Sequence, residues 1–276
     1  MIDNKPKILF HYTSFQSLAL IFKSKKIRFN RLDHVDDLTE AETFEGQQLG
    51  QHYFISCWTD SRLENIPLWQ MYTGFTGVRI GLPSDMFKTY KLDGKKGEQF
   101  KLEKNGMYYN LRLPYAGPIK VDDLFTADYA IMPAFYGSDF LQKMEYTEDK
   151  NLLIPKVLSK GADTITISLD VFCKYKAIEW TFQNEWRFIL HITPIDKNAR
   201  LSGSNKIGDI LPTITKDFDF LLQDYYLELK EDIFNNLEIL TGPKCSKGDI
   251  EIVETLADKY APKAVISSSC FTGKLK

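Results

Sequence analysis

The sequence predicts a single α+β domain over residues 1–276. Three observations point to it. The chain opens on a strand, helix, strand unit; alternating strands recur later at irregular spacing with helices between them; and no repeat, low-complexity stretch or linker divides the whole. With 43% hydrophobic and 26% charged residues the composition is that of a folded globular chain, and the length is ample for a well-buried core.

Residues 8–12, ILFHY, read as a strand, and over 14–24 Leu18, Ile21 and Phe22 share one helical face that Thr13 or Ser14 can cap. Residues 27–30 give a second strand. Asp36, Asp37 and Glu40 follow where the positive end of a helix dipole favours acids, so a helix is expected to start there. The run 53–58 has strand composition, 59–67 is a polar loop containing a proline, and a short helix carries Trp69 and Tyr72. Gly74 and Gly77 bracket a turn before a strand at 78–82, and the short runs from Phe100 to Val121 read as added sheet strands.

The middle, 122–158, is expected to be helical with breaks at Pro133, Gly137 and Pro155; helical spacing returns over 169–182, which makes 122–182 a helical insertion. Residues 185–192 alternate as a strand, with Trp186, Phe188 and Leu190 on one face and Glu185, Arg187 and Ile189 on the other. A polar loop holding Gly203 and Gly208, a helix over 217–231, a strand at 237–241, a helix over 249–260 and a strand at 264–267 complete the chain.

Lys plus Arg number 35 and Asp plus Glu 37, so no global positive field draws the chain to nucleic acid or anionic lipid, and such a partner has to be met by a local patch. The first residues lack the pattern of a signal peptide, and no run of about 20 apolar residues would span a bilayer. Cys57, Cys173, Cys245 and Cys270 are widely spaced with no zinc-ligand pattern. A cytoplasmic protein with reduced thiols and no metal is expected.

Several groups can carry chemistry. His11-Tyr12-Thr13 ends a strand before a helix, a place where an imidazole and a hydroxyl can hydrogen-bond a sugar diol; a strand-end surface histidine has the same sequence. Gln183 and Glu185 stand two apart at the start of a strand and are expected to project to one side, where a carboxylate can stabilise an oxocarbenium ion and an amide can orient a nucleophile. The alternative is a surface strand with an exposed ion pair. Tyr53, Phe54, Trp69 and Tyr72 offer faces for a nicotinamide or purine ring, or core packing. Arg28 and Arg31 can clamp a pyrophosphate or lie solvated at the surface. Asp33, His34, Asp36 and Asp37 fit a helix start better than a metal cluster, and no glycine-rich phosphate loop or G-x-S-x-G elbow is present.

Taken in order, HYTS, RFN, Asp-Asp-x-x-Glu, FISCW, Trp-x-x-Tyr, Gly-Val-x-Ile and W-x-x-Q-x-E-x-R resemble a broad family of uncharacterised bacterial proteins with H-Y-T, Trp-x-x-Tyr and E-x-E-x-R motifs. That family is in turn similar to a distant branch of the ADP-ribosyltransferase superfamily, above all its nucleic-acid-modifying toxins. The resemblance implies a split mixed or antiparallel sheet with flanking helices that grips NAD, used as substrate, in a central cleft. His11, Tyr12 and Thr13 would hold ribose, Tyr53 or Phe54 would stack on nicotinamide, and Glu185 would be the catalytic carboxylate with Gln183 beside it. It further implies transfer of ADP-ribose to RNA or DNA by a toxin or phage-defence effector, restrained by an antitoxin or chaperone protein. Gln183 stands where the family often has Glu, a departure that argues against an arginine acceptor. NAD hydrolysis, and a non-catalytic binding domain of the same fold, are the alternatives.

Overall fold

In Ile8–Thr13 (β1) Leu9, Phe10, Tyr12 and Thr13 are buried, and the next residue, Ser14, caps the helix Phe15–Ser24 (α1) by accepting from the Ser17 N–H at 3.1 Å. Leu18, Ile21 and Phe22 form its inner face, as the spacing predicts. Lys25 ends it in the left-handed region at φ 50°, and the chain returns as Lys26–Arg31 (β2). This computed structural model describes residues 5–46, 49–104, 107–132, 140–160, 165–167, 172–195, 213 and 220–276.

Instead of the helix expected from Asp36, two 3-10 turns follow, Leu32–His34 and Leu38–Ala41. Asp37 caps the second one, but Glu40 turns inward to Arg187, and the chain leaves the turn two residues later. Then come Tyr53–Thr59 (β3), Ile66–Thr73 (α2) and Val78–Pro83 (β4), where turn residues and alternation mark them, followed by Tyr90–Leu92 (β5), Gln99–Lys104 (β6), Met107–Arg112 (β7) and Tyr115–Gly117 (β8). The runs from Phe100 to Val121, expected as added strands of the sheet, lie outside it instead: β6 pairs with β7, and β8 with β5, as separate two-stranded sheets. Asn65 caps α2 by accepting from the Leu68 N–H, with Pro67 in the first turn, where a missing N–H costs nothing, and Gly74 closes it at φ 55°.

Among the described residues the helical insertion expected over 122–182 is not found. Among the described residues this stretch is Tyr129–Met132 (β9), Leu141–Lys143 (β10), Glu145–Thr147 (β11), the single turn Lys150–Leu153 (α3), Leu158–Lys160 (β12), Ile165–Ile167 (β13) and Tyr175–Ala177 (β14), with 3-10 turns at Val121–Asp123 and Ile178–Gln183. The ten-residue strand Glu185–Pro194 (β15) explains part of the difference, because its outer edge takes up β10 (Leu141↔Phe188) and β9 (His191↔Met132). Strands of three or four residues are too short to show a period of their own. Where a helix is expected over 217–231, the described residues from 220 onward hold a strand instead, Asp224–Glu228 (β16), paired along β2. Glu238–Thr241 (β17), Lys247–Tyr260 (α4) and Val265–Ser268 (β18) agree with expectation. Pro133, Gly137, Gly203 and Gly208 lie outside the described residues.

The result is an α+β fold around one large, mostly antiparallel mixed sheet, ten-stranded among the described residues, with the path β10-β15-β3-β1-β4-β17-β18 and β2, β16 and β9 attached beside it; β17 and β18 run parallel. One junction positions everything that follows. β1 matches β4 along its whole length and β3 matches β15 from Tyr53 to Thr59, yet β1 and β3 share the single partner pair Phe10↔Thr59. Beyond it they part, and β2 takes the edge of β3 at Asn30↔Ile55 and Arg31↔Phe54.

Both faces of the β3–β15 half are covered. Phe54, Trp58, Trp186, Phe188 and Leu190 join the main core, and Tyr53, Ile55 and Ile189 meet Leu32, Leu49, Val157 and Phe172 in a second one. Burying each large apolar side chain is worth about 1.5–3 kcal/mol, which holds this half of the sheet together. At the parting end of β1, Gly77 lies under the strand: a Cβ there would fall 2.4 Å from the Thr13 carbonyl oxygen and 2.7 Å from the Thr73 side chain. Gly77→Ala is expected to cost about 1–3 kcal/mol by overpacking, measured as a lower urea midpoint with unchanged slope.

Candidate functional site

Where β1 and β3 diverge, a cleft of about 420 Å³ opens between α1, β2 and the edge of β3, lined by Thr13, Ser17, Arg28, Ser56, Glu185 and Arg187 among others. It runs into a smaller recess of about 60 Å³ walled by Phe10, His11, Tyr12, Cys57, Trp58, Thr59, Leu68, Tyr72, Gln183 and Glu185. His11, Tyr12, Cys57, Tyr72 and Glu185 border both.

His11 bridges the split. Its Nδ1 lies 2.9 Å from the Cys57 carbonyl oxygen and its ring packs on Trp58 at 5.0 Å. A carbonyl only accepts, so the proton sits on Nδ1 and the neutral ring carries its lone pair on Nε2. Burial lowers the pKa of His11, the Cys57 hydrogen bond opposes this, and Arg28 adds to the lowering; the ring is neutral near pH 7. It can accept from a hydroxyl in the cleft.

Gln183 and Glu185 both reach the recess, but not by strand alternation. Gln183 closes a 3-10 turn and Asn184 takes the left-handed conformation at φ 43°, held by Thr59 Oγ1 donating to its carbonyl at 3.1 Å and by its own amide on Asp60. The kink at Asn184 re-aims Gln183 before β15 begins. Gln183 Nε2 donates to the Tyr72 hydroxyl at 3.0 Å, and that hydroxyl donates to Asp36 Oδ2 at 2.9 Å. Burial, Cys57 and Asp36 push the Tyr72 pKa far up, so it remains a donor. This chain orients the Gln183 amide, because Tyr72 has one proton and gives it to the carboxylate.

Glu185 is buried and ion-paired. Arg187 donates from Nε to Oε1 at 2.6 Å and from Nη2 to Oε2 at 3.1 Å, and Lys176 Nζ donates to Oε2 at 3.2 Å. Burial alone would raise the carboxyl pKa, but Arg187 and Lys176 outweigh it and hold it down to about 2. Arg187, itself fully buried, also donates to Glu40, and Lys176 Nζ lies 3.0 Å from Glu40 Oε1, an ion contact out of hydrogen-bond line. The Glu185 N–H is taken by the Tyr146 hydroxyl at 2.9 Å.

The other residues proposed from sequence divide. Thr13 lines the cleft, buried; Arg28 stands on its rim with a half-exposed side chain, 3.8 Å from Asp224. Tyr12 points its ring onto Trp69 and its oxygen accepts from the Asn65 N–H at 3.1 Å. Four residues are corrected. Tyr53 stacks on His191 in the second core, and Phe54 is buried in the main core, because β3 is central and covered on both faces. Trp69 is fully buried on the inner face of α2 with its indole N–H on Glu64. Arg31 is turned inward to Asp33 and the Phe220 carbonyl and does not line the cleft.

Sequence reasoning missed Lys176, Cys57 and Asp36 as parts of the site, and read Glu40 as a helix start. Glu40 had a signal, since it closes the Asp-Asp-x-x-Glu segment. Lys176 had none, lying in what reads as a polar position of a helix. No family model, curated protein or solved structure matches this chain.

Proposed function

We propose that this protein is an ADP-ribosyltransferase that uses NAD as substrate and a macromolecule, preferably RNA or DNA, as acceptor. The observation that carries the reading is the meeting of His11, Tyr72, Gln183 and Glu185 at one recess where the sheet splits. A sheet parted at its centre is what the resemblance to that superfamily implies, and the donors and acceptors needed around a ribose are present. His11 Nε2 accepts from a ribose hydroxyl, Thr13 adds a hydroxyl, and Arg28 on the rim matches a phosphate. NAD supplies a leaving nicotinamide, which departs with the electron pair of the glycosidic bond. Glu185 then faces the positive charge that develops on the ribose, and Gln183 orients the acceptor, whose attack releases its proton to water. Of Tyr53, Phe54, Trp69 and Tyr72, Tyr72 alone stands at the cleft with its ring partly open.

A role as a toxin or defence effector under the control of a protein partner rests on the resemblance alone. One observation favours the non-catalytic reading: both oxygens of Glu185 already face cations. Incubation with labelled NAD and total RNA, genomic DNA or cell extract separates the two. Transfer of label is expected, falling on the order of 100-fold in Glu185→Gln. Free ADP-ribose without labelled acceptor would favour hydrolysis, and unchanged NAD with every acceptor would favour the binding domain.

A further inference from the structure

Glu40, Lys176, Glu185 and Arg187 come from a 3-10 turn, β14 and β15, and meet as a closed ring of alternating charge with side chains at most 5% exposed. Two carboxylates and two cations give it a formal charge of zero. Glu185 by itself could not. It faces both cations, and a lone carboxylate between an ammonium and a guanidinium leaves one positive charge in a site screened from water, where charges act over longer range. Such a site would repel a cationic ribose. Glu40 supplies the missing negative charge from the far side, through Arg187 and Lys176, without lining either the cleft or the recess.

We propose that Glu40 is a positioning residue that sets the charge of the site: by sharing Lys176 and Arg187 with Glu185, it frees the catalytic carboxylate to act on a positively charged reacting centre. The proposal deepens the ADP-ribosyl transfer reading and rests on it for the reaction, but the charge balance can be read without NAD. Cys57 serves as the reporter. It borders cleft and recess, it is partly exposed, and Glu185 raises its thiol pKa while Arg187 and Lys176 lower it, after burial. The thiolate is the reactive form, so alkylation follows the local charge.

The experiment compares wild type, Glu40→Gln, Lys176→Gln and the double variant in two assays: alkylation of the Cys57 peptide by iodoacetamide, followed by mass spectrometry, and NAD consumption. The ring carries +1 in Glu40→Gln, −1 in Lys176→Gln and zero in the double variant. Cys57 alkylation is expected to rise on the order of tenfold in the first, fall in the second and return near wild type in the third. NAD consumption should fall on the order of 100-fold in Glu40→Gln and recover at least tenfold when Lys176→Gln is added. If Glu40 merely fills a packed ion pair, each substitution loosens the site, Cys57 reacts fastest in the double variant and NAD consumption is lowest there, which overturns the proposal. If Cys57 follows the charge series while wild type consumes no NAD, the charge balance stands and the transferase reading falls.

Discussion

Replacing Arg187 by Met is expected to cost about 3–5 kcal/mol of folding stability, the loss typical of removing one partner from a buried ion pair. The side chain, on β15 between β10 and β3, is fully buried and holds two carboxylates, Glu40 from a distant part of the chain and Glu185 two residues before it. Without it, Lys176 alone faces both acids, and a net negative charge stays buried. The same argument predicts a partial rescue. Glu40→Gln in the Arg187→Met background restores neutrality, so the double variant should be more stable than the sum of the single losses by about 1 kcal/mol or more. Arg187→Lys should not rescue, because an ammonium cannot reach both acids with the fork that a guanidinium provides. Urea unfolding followed by tryptophan fluorescence measures all of these. A loss below about 1 kcal/mol in Arg187→Met, the size seen for exposed pairs, would mean that water enters the ring and screens its charges.

The opening unit, the strands at 53–59 and 78–83 and the closing strand, helix, strand were legible because each is long enough to show its period or is bracketed by turn residues. The strands at 129–132, 141–143 and 145–147 were not, since none is longer than four residues, too short to show a period, and each owes its form to a partner far away in sequence, β15 or β14. The same distinction runs through the site. His11 and Glu185 could be singled out because strand ends beside helices and turns deliver side chains to openings. Tyr53 and Phe54 could not be told from cleft residues, because whether a strand is central or covered on both faces is a property of the assembled sheet. Lys176 is the sharpest case: nothing within its own segment says that it will meet Glu40, 136 positions earlier, and Glu185, nine positions later.

Acid should destabilise this protein well above the ordinary carboxylate range, and two buried histidines are the reason. His52 and His191 lie 6.4 Å apart between the ring centroids beside the second core, with Tyr53 stacked on His191 at 4.9 Å. Burial lowers His52 from 6.5 to about 4, against the pull of its contact with the Thr213 carbonyl, and burial with the neighbouring His52 lowers His191 from 6.5 to about 3. In the folded state both are therefore neutral down to about pH 4, whereas in the unfolded chain each takes up a proton below 6.5. The unfolded state binds more protons in that window, so stability is full above pH 6.5 and is lost as pH falls toward the folded values. At ~1.4 kcal/mol per unit for each ring, the loss between pH 7 and pH 5 is on the order of 3–4 kcal/mol. Glu185 adds to it only further down, as pH falls from 4.5 toward about 2. His191→Phe keeps a flat ring against Tyr53 and removes one titrating group, so it should roughly halve the slope of unfolding free energy against pH between 7 and 5. A slope unchanged in that variant and also in His52→Gln would move the acid sensitivity to the carboxylates, whose window lies lower.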